Sequence, residues 1–275
     1  MGSNVTQIGI GKSTYISTSL TKDQIDFLQV LDDHEILYFS LDDIGERLGF
    51  CPSNLNDLAE NLNQKGFLNR IERGKYTRPQ FNDPYVLGSF ISKGGVVAYW
   101  SALHLHGLTD RFPNKVFIKT TMRKRNTNLF GTPIHFVSVK SLKLSGTVMN
   151  GYGDRSYRLA DLETTILDCF DQPRYAGDWP DLLKAFSQTN LDANNLIEKA
   201  KLYNNAAVIK RMGYLADLLK KKELTPFIDF AKQKLGKKYT LFEPGGEDSG
   251  KFNSSWMLRL NITETAIIQI IENSY

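Results

Sequence analysis

The chain has 275 residues, of which 41% are hydrophobic and 23% are charged, a balance typical of soluble globular proteins. Its length suits two domains, and no apolar segment approaches the roughly 20 residues of a transmembrane helix. The first residues lack the charged start and apolar core of a signal peptide, and two cysteines, Cys51 and Cys169, provide no disulfide framework. The sequence therefore predicts a cytoplasmic protein without a membrane segment.

The N-terminal part begins with an extension, residues 1–20, which is followed by a first helix. Thr21 and Gln24 have the spacing of a capping box, in which each side chain bonds to the backbone amide of the other residue. Apolar residues at helical spacing are predicted to form the inner side of this helix: Ile25, Leu28 and Leu31. Residues 36–39 then predict a short strand.

Two short helices and a hairpin follow. Ser40 and Asp43 mark the start of the first helix, and Gly66 marks the end of the second, whose inner side carries leucines at helical spacing. Residues 67–71 and 75–78 have the composition of two strands joined by a turn. This order is typical of a winged helix-turn-helix, in which the second helix enters the major groove of DNA. The alternative is a small helical subdomain with an incidental hairpin.

The polar residues of this pattern predict its contacts with DNA. Because asparagine can pair bidentately with adenine, base contacts are predicted at the start of the second helix, from Ser53, Asn54 and Asn56. Cations of the hairpin are predicted to bind phosphates: Arg70, Arg73, Lys75 and Arg78. Residues 1–80 nevertheless contain eight Lys and Arg against eleven Asp and Glu, which gives a net charge of −3. Since phosphate contacts normally dominate affinity, this domain alone is expected to bind DNA weakly.

A polar connection at residues 79–84 marks a domain boundary. We therefore predict an α+β protein, with a winged helix-turn-helix domain at residues 21–82 and a larger mixed α/β domain at residues 83–275. Helices are expected at residues 85–91, 96–108, 162–172, 179–188, 191–202, 206–222 and 226–234. A glycine-rich loop is expected at residues 243–250 and a strand at residues 256–260, and residues 262–272 are expected to pack as a terminal helix or strand.

The strongest charge signal lies between Arg111 and Lys143, where eight cations occur without any Asp or Glu. Alternating apolar residues predict strands at residues 116–118 and 134–138, joined as a β-hairpin by residues 122–131. A basic tip of this kind indicates contact with nucleic acid or with an acidic partner. Its functional residues are predicted to be Lys119, Arg123, Lys124 and Arg125. The alternative is a loop that only keeps the protein soluble.

Two groups of side chains are candidates for a metal site. His104 and His106 are two residues apart and so point to different sides of a helix, which does not suit a zinc site. Asp161 and Asp168 share one side of a helix, which leaves a metal-dependent nuclease as an alternative function. No lysine follows at the spacing that such nuclease sites use. We therefore predict no catalytic residues, no metal and no cofactor.

Five segments of the chain together resemble the AbiEi antitoxin family of bacterial abortive-infection systems. They are AYWSALHLHGL (98–108), KVFIKTT (115–121), RLADLETTILDCFDQPRYAG (158–177), KRMGYLADLL (210–219) and WMLRLN (256–261). The resemblance covers most of residues 21–261, including the hairpin that ends in RGKYTRP. It departs from the expected pattern in the acidic N-terminal domain and in a second helix that is poor in Arg and Lys.

The resemblance implies a protein with an N-terminal winged helix and a C-terminal antitoxin domain. Such proteins repress their own operon through inverted repeats in the DNA, and they counteract a nucleotidyltransferase toxin in a type IV system, without a stable toxin–antitoxin complex. We therefore expect an autoregulatory, DNA-binding antitoxin without catalysis of its own. A stand-alone transcriptional regulator without a toxin is the alternative of the same class.

Overall fold

The computed structural model describes residues 19–48 and 54–273, so that most of the predicted extension, and Ser53, lie outside the described residues. The chain divides into two compact units, Met1–Asn82 (unit 1) and Asp83–Tyr275 (unit 2). Both units combine helices with β-sheets, so the fold is α+β. Throughout the described ranges, every helix is too short or too polar to cross a membrane.

Unit 1 contains, within its described residues, three helices and a three-stranded antiparallel sheet. In chain order the elements are α1 (Lys22–Asp33), β1 (Tyr38–Ser40), α2 (Ile44–Leu48), α3 (Leu55–Gln64), β2 (Asn69–Glu72) and β3 (Lys75–Thr77). β3 is the central strand, because it pairs with β1 on one side and with its hairpin partner β2 on the other. The helices and the hairpin lie within a few residues of the bounds predicted from the sequence.

A hydrophobic core of its own holds unit 1 together. The capping box is present, since the Thr21 amide donates to Gln24 Oε1 at 3.1 Å and the Gln24 amide donates to Thr21 Oγ1 at 3.4 Å. Fully buried side chains come from all three helices and from the sheet: Phe27, Leu31, Phe39, Ile44, Leu62 and Tyr76. Burial of each such apolar side chain stabilises the fold by about 1.5–3 kcal/mol. The core therefore joins α3 and the β2–β3 hairpin into one body.

Unit 2 is larger and begins with a helix that leads into a six-stranded sheet. Its first elements are α4 (Pro84–Ile91), β4 (Val96–Val97), α5 (Tyr99–Leu105), β5 (Val116–Thr120), β6 (Thr127–Leu129), β7 (Thr132–Ser138), β8 (Thr147–Asn150) and β9 (Tyr157–Ala160). A helical part follows, with α6 (Leu162–Asp171), α7 (Trp179–Gln188), α8 (Ala193–Tyr203), α9 (Ala206–Leu218) and α10 (Thr225–Gln233). A small sheet of β10 (Thr240–Leu241), β11 (Lys251–Asn253) and β12 (Leu258–Leu260) precedes the terminal helix α11 (Glu264–Glu272).

The six-stranded sheet has the strand order β6–β7–β5–β4–β9–β8. β5 and β7 are parallel neighbours, with Val116 beside Ile134, so the hairpin predicted for these two strands is wrong. Two parallel strands cannot be joined by a tight turn, because the chain must first return to the end of the sheet where the first strand began. Residues 121–126 begin this return, and β6 then forms a tight hairpin with β7 instead.

Different helices cover the two faces of this sheet. α4 packs so closely on one face that a Cβ atom at Gly88 would lie 2.7 Å from Ile118 Cδ1. Since side chains alternate along a strand, Phe117 and Lys119 point to the opposite face. There Phe117 packs edge-on against Tyr99 of α5, and Lys119 reaches α6. The face toward α5 and α6 is therefore the one that combines aromatic and charged groups.

The segment predicted as one helix over residues 96–108 is divided in two. Val96 and Val97 form the fully buried central strand β4, and α5 begins only at Tyr99, whose φ is +56°. A short apolar run suits a buried strand as well as a buried helix, which explains the error. The later helices of unit 2 agree with the prediction within a few residues.

Candidate functional site

The exposed side of α3 is polar and carries no cation. Three leucines and Ala59 bury the inner side of the helix, while the exposed residues on the other side are Asn54, Asn56, Asp57, Asn61 and Gln64. Asn54 is the N-cap residue of α3, yet its side chain makes no capping hydrogen bond. The amide groups of Asn54 and Asn56 therefore lie at the solvent-facing start of the helix, as the sequence predicts, and Ser53 lies outside the described residues.

Three of the four cations predicted to bind phosphates are held in ion pairs within unit 1. Arg70 Nη1 lies 2.7 Å from Glu60 Oε1, and Lys75 Nζ lies 3.0 Å from Glu72 Oε2. The guanidinium of Arg78 is 2.7 Å from Asp32, and its side chain is only 13% exposed.

Arg73 differs from these three, because its side chain is exposed beside the hairpin turn and forms no ion pair with the described residues. The sequence predicts that all four cations are available to DNA. The structure corrects this prediction for Arg70, Lys75 and Arg78, which are held in ion pairs. Their acidic partners belong to α1, α3 and β2, and the contact between Arg70 and α3 depends on tertiary structure.

Glu60 links the hairpin to α3. The buried Tyr76 of β3 donates its hydroxyl hydrogen to Glu60 Oε1 at 2.8 Å, the same oxygen that Arg70 approaches. Burial of the ring, together with the Glu60 carboxylate, raises the pKa of Tyr76 to about 12, so the phenol remains a hydrogen-bond donor at neutral pH. This contact fixes the position of the hairpin relative to the exposed side of α3.

In unit 2, the residues predicted as a basic surface separate into two environments. Arg123 and Arg125 are exposed in the connection between β5 and β6, and the Lys124 ammonium lies 5.5 Å from the centre of the Phe136 ring. The sequence predicts Lys119 to be a functional surface residue together with Arg123, Lys124 and Arg125. This prediction is wrong for Lys119, because its side chain is fully buried. The reason lies in the strand register: Lys119 is on the face of β5 that α6 covers, while the arginines follow the end of that strand.

Lys119 is the centre of a buried network of charged and polar groups. Its ammonium nitrogen lies 2.7 Å from Asp168 Oδ2 and donates a hydrogen bond to the Lys143 carbonyl at 2.7 Å. The other oxygen of Asp168 accepts a hydrogen bond from the hydroxyl group of Tyr203. Burial raises the pKa of the Asp168 carboxyl group, and the ammonium of Lys119 acts in the opposite direction. The network thereby connects β5, α6, α8 and the 3₁₀ turn at Ser141–Leu144.

A second ion pair lies beside this network. Lys143 Nζ is 2.5 Å from Asp171 Oδ2 and lies 4.7 Å from the centre of the Tyr203 ring. The remaining oxygen of Asp171 accepts a hydrogen bond from Asn205 Nδ2 at 2.9 Å. The carboxylate at the end of α6 is therefore fully engaged with its neighbours.

The two carboxylates considered for a nuclease do not converge on one site. Asp161 caps α6 and lies 2.6 Å from Lys199 Nζ, whereas Asp168 is paired with Lys119 seven residues further along the helix. Seven residues correspond to about 10 Å along a helix axis. Each carboxylate thus has its own lysine partner, and this arrangement does not favour the nuclease alternative.

The two histidines considered as a metal pair also have separate contacts. His106 Nε2 is 2.8 Å from the carbonyl oxygen of Ala160, while the His104 ring packs on Phe112 with centroids 4.8 Å apart. Their partners lie on different segments of unit 2. The described part of the chain contains no cluster of three or more His, Cys, Asp or Glu side chains placed to hold a metal ion.

A cavity of about 720 Å³ opens beside the buried network, and we call it the α6–α8 cavity. It lies between the end of β7, the 3₁₀ turn at Ser141–Leu144, and the C-terminal ends of α6 and α8. Four cations and one acid line it: Lys140, Lys143, Arg174, Lys201 and Asp171. Sequence reasoning missed this site, because its lining residues are separated by as much as 105 positions, from Tyr99 to Asn204, and follow no motif.

The structure defines the class of this protein as α+β with two compact units. No family model matches the chain, and no curated protein matches it. In structure it is similar to the crystal structure of the RV2827C protein from Mycobacterium tuberculosis, with a TM-score of 0.65 and 15% sequence identity. The similarity covers 94% of this chain and 97% of that chain, and at this identity it concerns the fold alone.

Proposed function

We propose that unit 1 is a winged helix-turn-helix that binds operator DNA, and that the whole protein is a cytoplasmic, autoregulatory antitoxin of the AbiEi type. The observation that carries the DNA-binding part is the arrangement of unit 1. Its order is helix, strand, helix, helix and hairpin, with an exposed polar side on α3 and Arg73 beside the hairpin turn. This arrangement supports a winged helix in which α3 enters the major groove and the hairpin contacts the backbone.

The polar side of α3 favours base contacts, whereas the paired cations keep the phosphate affinity of one unit low. Asn54 and Asn56 present amides that can pair with adenine, and each good bidentate pair contributes about 1–3 kcal/mol of discrimination. Arg70 and Lys75 must leave their carboxylate partners before they bind phosphate. Weak half-site binding of this kind suits two copies on an inverted repeat, since the contacts of the two copies then add.

The antitoxin role is proposed for unit 2, through the exposed loop at residues 123–125. Three consecutive cations in this connection favour an anionic partner, and no acid lies within ion-pair distance of Arg123 or Arg125 among the described residues. In the AbiEi pattern the antagonist is a nucleotidyltransferase toxin, without a stable complex. The resemblance of several unit 2 segments to that family supports this assignment.

The DNA-binding proposal is tested with the full chain and the DNA upstream of its own gene. Gel-shift titrations compare this fragment with an unrelated fragment of equal length. We expect preferential binding to the upstream fragment, and loss of that preference in the Asn54→Ala/Asn56→Ala variant. Gln29→Ala on α1 serves as the matched control, because it also removes an exposed amide. Equal binding of both fragments by the parent protein would overturn the proposal.

The antitoxin proposal is tested in cells that express the nucleotidyltransferase encoded beside this gene. We expect the full chain to restore growth, and we expect residues 83–275 to do so as well if neutralisation resides in unit 2. A soluble, folded fragment that fails to rescue would assign part of the neutralisation to unit 1. Absence of such a neighbouring gene, together with specific DNA binding, would instead support the stand-alone regulator.

A further inference from the structure

We propose that the α6–α8 cavity binds a small organic phosphate of the nucleotide class, with the phosphates at its basic opening and the ring against its aromatic wall. This site lies in unit 2 and does not include the loop at residues 123–125. The inference therefore stands apart from DNA binding by unit 1 and from the proposed antitoxin loop.

Charge is the first observation that supports this ligand. Lys140, Arg174 and Lys201 line the cavity, are exposed, and form no ion pair with any acid among the described residues. The acid that lines the cavity, Asp171, is already bonded to Lys143 and Asn205. A cavity with three unpaired cations attracts an anion, and phosphate oxygens can accept charge-assisted hydrogen bonds from each of them.

The second observation is that the inner wall is held in place before any ligand binds. The buried ammonium of Lys119 donates to the Lys143 carbonyl, which fixes the 3₁₀ turn that carries Lys143 and leads on from Lys140. Asp168 accepts the hydroxyl hydrogen of Tyr203, which fixes the aromatic ring at the end of α8. A wall fixed by buried groups reduces the ordering that a ligand must otherwise impose.

The third observation concerns the size and the apolar part of the cavity. Its volume of about 720 Å³ falls within the range of roughly 300–1,000 Å³ that is typical of small-molecule sites. One phosphate ion would leave most of this space to water. Tyr99, Val137 and Tyr203 provide buried aromatic and aliphatic surface, while the exposed Leu142 and Leu202 extend it toward solvent. A flat ring system attached to the phosphates therefore suits the cavity better than an inorganic anion does.

Isothermal titration of the full chain in magnesium-free buffer tests this proposal, with ADP, adenosine and inorganic phosphate as separate probes. We expect ADP to bind, and we expect adenosine and phosphate to bind about tenfold more weakly or not at all, since each has only one half of the ligand. The Arg174→Glu/Lys201→Glu variant should weaken ADP binding by about tenfold or more, because it replaces two cations of the cavity with acids that repel the phosphates.

A matched variant controls for the change of net charge. Lys237→Glu/Lys251→Glu reverses two exposed lysines that do not line the cavity, and it should bind ADP as the parent does. Thermal melting verifies that both double variants remain folded.

Three results would each overturn the proposal. They are no heat of binding with millimolar ADP, equal affinity for ADP and inorganic phosphate, and equal loss of ADP binding in the two double variants. Binding of a short RNA together with no binding of ADP would also overturn it, because the site would then serve a polymer rather than a small molecule.

Discussion

Unit 1 and unit 2 contain the same kind of ion pair in opposite surroundings. In unit 1 the Arg70–Glu60 pair lies at the surface, with side chains 41% and 32% exposed. In unit 2 the Lys119–Asp168 pair has side-chain exposures of 0% and 2%. An exposed pair contributes about 0–1 kcal/mol and can exchange its partner for a phosphate. A buried pair cannot, because a separated charge in the interior costs several kcal/mol.

The comparison shows that a cation is directly available to a ligand if the fold leaves it solvated and unpaired, whereas a solvated cation in an ion pair must first leave its partner. In unit 1, Arg73 meets both conditions among the four predicted phosphate contacts. In unit 2, residues 111–143 form a basic block of eight cations without an acid, and within it Lys119 and Lys143 form ion pairs with Asp168 and Asp171. Each of these acids lies outside the block, so the absence of acids within the block does not mean an absence of partners.

The largest expected effect comes from breaking the buried pair. Lys119→Met leaves the Asp168 carboxylate buried without its cation, and we expect the free energy of unfolding to fall by about 3–5 kcal/mol. Urea denaturation monitored by circular dichroism measures this change. The Lys119→Met/Asp168→Asn variant should recover much of the loss, since Asn can still accept from Tyr203. A loss below about 1 kcal/mol for Lys119→Met would mean that the pair behaves like the exposed pairs of unit 1.

The next effect concerns the exposed loop of unit 2, whose cations differ from Lys119 in being solvated. Reversal of Arg123, Lys124 and Arg125 to Glu should leave the fold intact, because a solvated loop tolerates substitution. Neutralisation of the toxin should fall sharply in a growth assay, while operator binding changes less. The matched control reverses three other exposed lysines of unit 2, at positions 222, 237 and 251. If the loop variant protects cells as well as this control does, the loop only keeps the protein soluble.

A smaller effect separates the cations of unit 1 from one another. Arg73→Ala should lower the slope of log affinity against log salt by about 1 unit, as expected for the loss of one phosphate contact. Lys75→Ala should lower it less, because Lys75 is paired with Glu72. Gel-shift titrations over a salt series give both slopes, and Lys22→Ala on α1 removes an exposed cation as a control. Equal slopes for Arg73→Ala and the parent would mean that the hairpin does not contact the phosphate backbone of the DNA through Arg73.

Local patterns in the sequence were sufficient for most of the helices and for the N-terminal hairpin, although the helix predicted over residues 96–108 includes the strand β4. The capping box at Thr21 and the cap at Asp161 depend on residues three positions apart, so their spacing identifies them. The parallel pairing of β5 with β7 was not predictable from alternation, because alternation defines a strand and not its neighbour. The burial of Lys119 and the α6–α8 cavity depend on contacts between α6, α8 and the sheet. These contacts join residues that are far apart in the chain, so the spacing of neighbouring residues could not predict them.

The smallest expected effect is a pH dependence at His135, a half-buried residue of β7 that lies on the same face of the sheet as Lys119. Its ring packs between Phe117 and Tyr175, with centroids 5.4 and 5.2 Å away, and Nδ1 lies 3.1 Å from Asn126 Nδ2. Burial, followed by the charges of Lys115 and Arg174, lowers the pKa of His135 below its ordinary value of 6.5.

Because the folded state takes up this proton less readily than the unfolded state does, stability should fall as the pH drops through 6.5 toward the lower folded-state pKa. Melting curves at pH 7.5 and about pH 5.5 measure this loss. His135→Gln should show a smaller loss over the same range, because it removes the titrating ring, whereas His34→Gln at an exposed position should behave as the parent. An equal pH dependence of stability in the parent and in His135→Gln would show that other titrating groups cause it.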